Sequence, residues 1–202
     1  MQAAYSPAAE RNKHPILEAL RQVLPSRGAA LEIASGTGQH VTWFAQHLPA
    51  WTWQPTDNRA DALDSITAHS AQLRLANVRA PLLLDVMSPV WLPMDTQPFN
   101  AIYCANMLHI APWATCAALM QGSARHLCAD GMLVTYGPYL EDAVSTAPGN
   151  QDFDRDLRLQ NPHWGLRRLE HVQVEAARAG LHLAHRFALP ANNLLLVWTR
   201  AH

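Results

Sequence analysis

Short apolar runs alternate along this chain with longer stretches in which apolar residues return every three or four positions. The runs fit buried strands, and the longer period fits helices with one face in a core. Residues 1–13 are polar and unpatterned, and Pro15 then stands at a favoured first helical position ahead of Ile16, Leu17, Leu20, Val23 and Leu24. The pattern predicts strands over 29–34, 51–56, 82–85, 99–104 and 132–136, with helices over 38–48, 59–73 and 112–127 between them. The Ala129-Asp130-Gly131 turn is expected to start the fifth strand. A long segment, 137–165, precedes a helix over 168–179 closed by Gly180. Two last strands, 181–189 and 194–200, are joined by Pro190-Ala191-Asn192-Asn193 and must pair as an antiparallel hairpin. The expected fold is α/β: a Rossmann-like, doubly wound, seven-stranded sheet, mostly parallel with a C-terminal antiparallel hairpin.

At 202 residues the chain is long enough for one well-buried domain and short for two, so a single domain over 1–202 is expected. Its outer parts are an N-terminal cover and helix over 1–28 and a lid insertion over 137–167. Only 15% of residues are charged, against roughly 25% in an average soluble protein, so much of the chain must be core or interface. A partner or homodimer surface fits that excess. The net charge is −1 and the only basic pair is Arg167-Arg168, which excludes long nucleic acid as substrate. Cys104, Cys116 and Cys128 form no close pair and are expected as reduced thiols in a cytosolic core. No His-x-x-x-His or Cys-x-x-Cys pair suggests a metal, and His182 and His185 are expected to face solvent. Neither a leader nor an apolar run near the ~18 residues of a membrane span is present, which predicts a cytoplasmic protein.

The chemistry concentrates in Leu31-Glu32-Ile33-Ala34-Ser35-Gly36-Thr37-Gly38-Gln39-His40. An apolar strand runs through an acid into a small-residue turn with two glycines, followed by the polar start of a helix. The first helical N–H groups are unpaired and aim at whatever lies over the turn, which suits a carboxylate or phosphate. Ala34, Ser35 and Gly36 are small enough for a ligand to lie against the backbone. The second strand-like run ends at Asp57, followed by Asn58, where a carboxylate can accept from both hydroxyls of a ribose. The third ends at Asp85-Val86, and the fourth leads to Asn106 and Met107. In a wound parallel sheet such strand ends converge on one crevice.

This ordered series resembles the class I S-adenosylmethionine-dependent methyltransferases, whose usual first glycine is Ala34 here. More narrowly, Glu10-Arg11-Asn12-Lys13 with Pro15-Ile16-Leu17, the Ser-Gly-Thr-Gly-Gln-His string, Asn161-Pro162-x-Trp164-Gly165 and Pro190-Ala191-Asn192-Asn193 resemble an uncharacterised methyltransferase-like family of bacteria and animals, long labelled a domain of unknown function. The resemblance covers nearly the whole chain. It implies S-adenosylmethionine as cofactor, Asp85 accepting from the adenine amino group, and Asn106 facing the methyl group. It also implies that Arg11 and Asn12 fold over the cofactor and hold its methionine carboxylate.

His109, Tyr139 and Asp154 are the candidates for a general base, alongside readings of each as an ordinary structural residue. The lid insertion offers Trp164 as an apolar anchor with Arg158 and Arg167 as donors to a small, polar, anionic acceptor. The same stretch also reads as a surface helix with an i,i+4 pair, Asp154 with Arg158. Two further functions compete with methyl transfer. One is a cofactor-binding regulatory or scaffold module without catalysis, which turnover separates. The other, a nicotinamide-dependent oxidoreductase, is weakened because Val41 stands where Gly-x-Gly-x-x-Gly needs its third glycine.

Overall fold

The computed structural model describes residues 3–200. Met1 and Gln2 of the expected cover, and Ala201 and His202 at the other end of the expected domain, lie outside them. The residues up to Cys104 and those from Ala105 form two compact units.

The first unit opens with α1 (Pro7–Val23), then β1 (Gly28–Ile33), α2 (Gln39–His47), β2 (Trp51–Asp57), α3 (Ala60–Gln72), β3 (Leu82–Leu83) and β4 (Phe99–Ala105) up to its last residue. Helix α1 starts well before the expected Pro15. Ser6 caps it, its hydroxyl accepting from the Ala9 amide at 3.3 Å, and Pro7 takes the first-turn position expected for Pro15. Pro15 sits inside the helix, where it gives no N–H to the Arg11 carbonyl. Strands β2 and β4 pair in parallel on either side of β1, with Glu32 opposite Pro55 and Tyr103, and β3 pairs in parallel with β2. Ile16, Leu20, Leu31, Ile33, Phe44, Trp53, Ile66 and Ile102 are buried. Phe44 meets Tyr103 edge-on at 5.3 Å and tilts onto Trp53 at 5.5 Å.

The second unit holds a 3-10 turn (Met107–His109), α4 (Ala114–His126), β5 (Leu127–Gly137), β6 (Tyr139–Leu140), α5 (Pro148–Gln160), β7 (Arg167–Arg168), α6 (Leu169–Arg178), β8 (Leu181–Leu189) and β9 (Asn193–Arg200). Strand β5 begins five residues before the expected Met132, and the expected 129–131 turn is extended chain within it. Leu127 is buried, and the Arg200 guanidinium donates to the Ala124 and Leu127 carbonyls at 2.7 and 2.9 Å. Those contacts end α4 and override the turn preference of Asp-Gly, which is only a local prior. The expected lid insertion is structured, with α5 between the short paired strands β6 and β7. Strand β9 pairs antiparallel with both β5 and β8. Leu189 pairs with Asn193 across a three-residue connection, Pro190-Ala191-Asn192, in which Ala191 and Asn192 have positive φ, 58° and 55°.

The strand order is β3-β2-β1-β4-β5-β9-β8, the expected Rossmann-like α/β sheet, mostly parallel and ending in an antiparallel hairpin. Exposed His182, His185 and Arg186 stud the edge strand β8, where charged and polar groups discourage pairing with another chain. Among the described residues no helix is long and apolar enough to cross a membrane.

Candidate functional site

In the first unit the glycine turn between β1 and α2 is closed by its own backbone and by β2. The Ser35 amide donates to the Thr56 carbonyl at 2.8 Å, and the Thr56 amide donates back to the Ser35 hydroxyl at 3.2 Å. Ala34, Gly36 and Gly38 all have positive φ, 55°, 56° and 85°. Gly38 also admits α3, since a Cβ there would lie 2.9 Å from the Ile66 Cα. At Gly36 a Cβ would meet nothing within 4 Å. The face of the turn at Gly36 is therefore open space.

The structure brings Asp57 to this turn. One carboxylate oxygen accepts from the Gly36 amide at 2.9 Å and the other from the Arg59 amide at 3.1 Å. The Arg59 guanidinium also lies 3.7 Å from the second of these oxygens. Asn58 beside it is exposed. The Leu84 amide donates to the Asp57 carbonyl at 2.9 Å, which brings Asp85 in just past the end of β2. Asp85 is exposed, one of its oxygens accepting from the Met87 amide at 2.9 Å, and Val86 is buried.

Glu32 lies beneath the turn with 2% of its surface exposed, and its Oε2 has no hydrogen-bond partner. Burial pushes its carboxyl up to about 8; Ser35 opposes that and the Asp57 charge adds to it. The folded protein thus holds a proton here that the unfolded chain releases near 4.5. The resulting stability is full below about pH 4.5 and is lost as pH rises toward about 8. A Glu32→Gln variant should therefore lose up to about 1.4 kcal/mol per pH unit less than wild type over that window. Urea melts at several pH values check this, and parallel curves would refute a buried proton at Glu32.

Helix α1 is clipped onto the turn. The Ser6 amide donates to Gln39 Oε1 at 2.6 Å, Gln39 Nε2 donates to Glu10 at 3.1 Å, and the Thr37 hydroxyl donates to Gln39 at 3.0 Å. The Ala4 amide donates to Ser65, whose hydroxyl donates to the Thr37 carbonyl. Asn12 bonds His40 at 2.6 Å. Arg11 is exposed and makes no hydrogen bond or ion pair with the described residues. Gln39 and His40 are the functional candidates that sequence reasoning passed over. The two stood there only as the polar start of a helix, though both belong to the Ser-Gly-Thr-Gly-Gln-His string.

In the second unit His109 is 1% exposed, with neither ring nitrogen hydrogen-bonded. Burial pushes it down to about 3, and the Arg167 charge adds to this, so the imidazole is neutral. A Cβ at Gly137 would clash with His109 Nε2, so the glycine makes room for the ring. Asn106, at φ 60°, receives the His109 amide on its carbonyl at 3.1 Å. The Tyr139 ring meets His109 edge-on at 5.1 Å, and its hydroxyl donates to Thr135 Oγ1 at 3.0 Å.

Asp154 accepts from Arg158 Nε at 2.9 Å and from the Leu166 amide at 2.7 Å. The i,i+4 pair of the surface-helix reading is thus present, and it also pins α5 to the chain after Trp164. Gly165 lets this pair approach, because a Cβ there would lie 2.7 Å from Asp154 Oδ1. Arg167 donates to the carbonyls of Leu108, Ala111 and His163 at 2.8, 2.6 and 2.8 Å, and its guanidinium lies 5.8 Å from the Trp113 ring. His109, Tyr139, Asp154, Arg158 and Arg167 are thus tied into one local framework. Trp164 is half-buried beside it.

A family model described as "Protein of unknown function (DUF938)" matches residues 3–200. Among solved structures, the chain is similar to an O-methyltransferase family protein from Burkholderia thailandensis at 16% identity and TM-score 0.80, covering 96% of this chain and 57% of that one. It is similar also to an O-methyltransferase family 2 protein from Planctomyces limnophilus, solved in complex with apigenin, at 18% identity and TM-score 0.76, covering 98% and 63%. A third is CalO1, a methyltransferase of calicheamicin biosynthesis in SAH-bound form, at 14% identity and TM-score 0.72, covering 97% and 61%. At such identities the likeness is one of fold, and the chain spans less than two thirds of each neighbour's length.

Proposed function

The chain belongs to the DUF938 family, and from that footing we propose that it binds S-adenosylmethionine at the glycine turn and transfers the methyl group to a small polar acceptor. The observation that carries this reading is the Gly36 turn itself, open above its backbone and joined to the Asp57 carboxylate at 2.9 Å. Asp57 and Asn58 take the ribose, Asp85 and Val86 the adenine, and Ala34, Ser35, Gly36 and Gly38 give the close backbone approach. Glu32, with an orphan oxygen under the turn, and Arg11, whose guanidinium has no partner among the described residues, offer groups to the ammonium and carboxylate of the amino-acid end. Asn106 faces the transferred group. The fold shared with methyltransferases, one of them SAH-bound, supports the same cofactor.

The sulfonium supplies an already activated leaving group, so the protein's part is chiefly to hold the acceptor in line at about 3–3.5 Å and to keep water out. Neutral His109, with both ring nitrogens buried, is a candidate to orient the acceptor once the segment around it admits one. With its basicity so depressed it orients better than it abstracts. Tyr139 and Asp154 are the other candidates for proton acceptance. Trp164, Arg158 and Arg167 form the acceptor side, residues 137–167 act as a cover in the second unit, the stretch around Arg11 and Asn12 acts as one in the first, and each tightens on binding. Hydrogen exchange should slow in those two segments on adding cofactor product and acceptor, with α3 unchanged. A cover that exchanges equally slowly without ligand is fixed structure, and the assignment of Trp164 and Arg167 to the acceptor then fails.

The test of function is incubation with S-adenosylmethionine labelled in its methyl group and the small-molecule fraction of a lysate. Label should move into a small polar molecule with wild type and not with a turn variant. Cofactor binding without any labelled product would favour the regulatory or scaffold module instead.

A further inference from the structure

His40 ends a chain of contacts that no catalytic role uses. It lies in the first turn of α2, 7% exposed, with its ring stacked on Phe44 at 5.5 Å. Its Nε2 lies 2.6 Å from Asn12 Oδ1, and its Nδ1 lies 3.3 Å from the Tyr103 hydroxyl. Burial holds its pKa down near 4, so the ring is neutral and carries a single N–H. An amide oxygen only accepts, which places that hydrogen on Nε2 and leaves Nδ1 to accept from Tyr103. The ring therefore links β4 through α2 to α1 in one tautomer.

Gln39 holds Ser6, at the cap of α1, and Glu10, the residue before Arg11. Just past Arg11 the Asn12–His40 bond holds the helix, beside the Lys13 ammonium lying 4.4 Å over the Trp43 ring, while Arg11 makes no hydrogen bond or ion pair with the described residues. We infer that His40 is a positioning residue for the amino-acid end of the cofactor: through Asn12 it fixes α1 so that Arg11 can pair with the carboxylate. This rests on the cofactor reading above and goes beyond it by separating the residue that aims from the residue that binds.

The experiment compares two probes, S-adenosylhomocysteine and 5′-methylthioadenosine, which keeps the nucleoside and sulfur but has no amino-acid end. His40→Phe and Asn12→Ala should each weaken S-adenosylhomocysteine about tenfold and leave methylthioadenosine within about twofold. Arg11→Ala should show the same selective loss, and the Arg11→Ala, Asn12→Ala pair should lose little more than either alone, as expected of residues acting in series. Exposed Arg11 and half-buried Asn12 keep the test available if His40→Phe fails to fold. Equal losses for both probes, or fully additive losses in the pair, would overturn the assignment of His40. Wild type that binds neither probe would instead remove the cofactor reading on which it stands.

Discussion

Gly36→Val is expected to abolish binding of S-adenosylmethionine and its demethylated product while the protein stays folded. The turn leaves nothing within 4 Å of a Cβ at this position, so the new side chain enters the space assigned to the ligand. The backbone at φ 56° is in the left-handed region, where a β-branched residue is strained by roughly 1–2 kcal/mol. Against a typical stability of about 5–15 kcal/mol that is a lowered melting temperature, not an unfolded chain. Titration beside a thermal melt reads both effects. A folded variant that binds as wild type does would place the cofactor elsewhere.

Asp57→Ala carries the second large effect, a loss of roughly 1.5–3 kcal/mol in affinity, the scale of a hydrogen-bonding charged group. That corresponds to roughly 10- to 150-fold in Kd. Part of the loss is indirect, because the carboxylate also receives the Gly36 and Arg59 amides and so shapes the turn. Asp57→Asn, which keeps one accepting oxygen, should fall between alanine and wild type. Exposed Asp61, on the first turn of α3, serves as control, and its alanine variant should bind normally. Wild-type affinity in Asp57→Ala would remove the ribose assignment.

The sheet was legible because β1, β2 and β4 are buried nearly throughout and read as short runs with no charge before their last two residues, and because Pro190-Ala191-Asn192-Asn193 between the last two strands called for a hairpin. The start of α1 was not, since Pro7 and Pro15 both suit a first turn and only the Ser6 cap decides between them. The start of β5 depends on Arg200, which reaches two carbonyls more than seventy residues away in sequence. Periodicity carries no information about such a contact. In the site, Gly36 and Asp57 lie in the expected relation because both are set by strand ends. Ala34, which stands where the resembled family has glycine, takes a left-handed φ of 55°. What the sequence left open are partners chosen by tertiary packing: Gln39 and His40 turn to α1, and Arg167 spends three donors on backbone carbonyls.

The central claim is that the glycine turn is an S-adenosylmethionine site, and its most direct test is calorimetric titration of the wild-type protein with S-adenosylhomocysteine and, separately, with NAD. One molecule of S-adenosylhomocysteine per chain, bound saturably, with no heat from NAD, is the predicted result. Saturable binding of NAD, or no binding of S-adenosylhomocysteine at millimolar concentration, would contradict it.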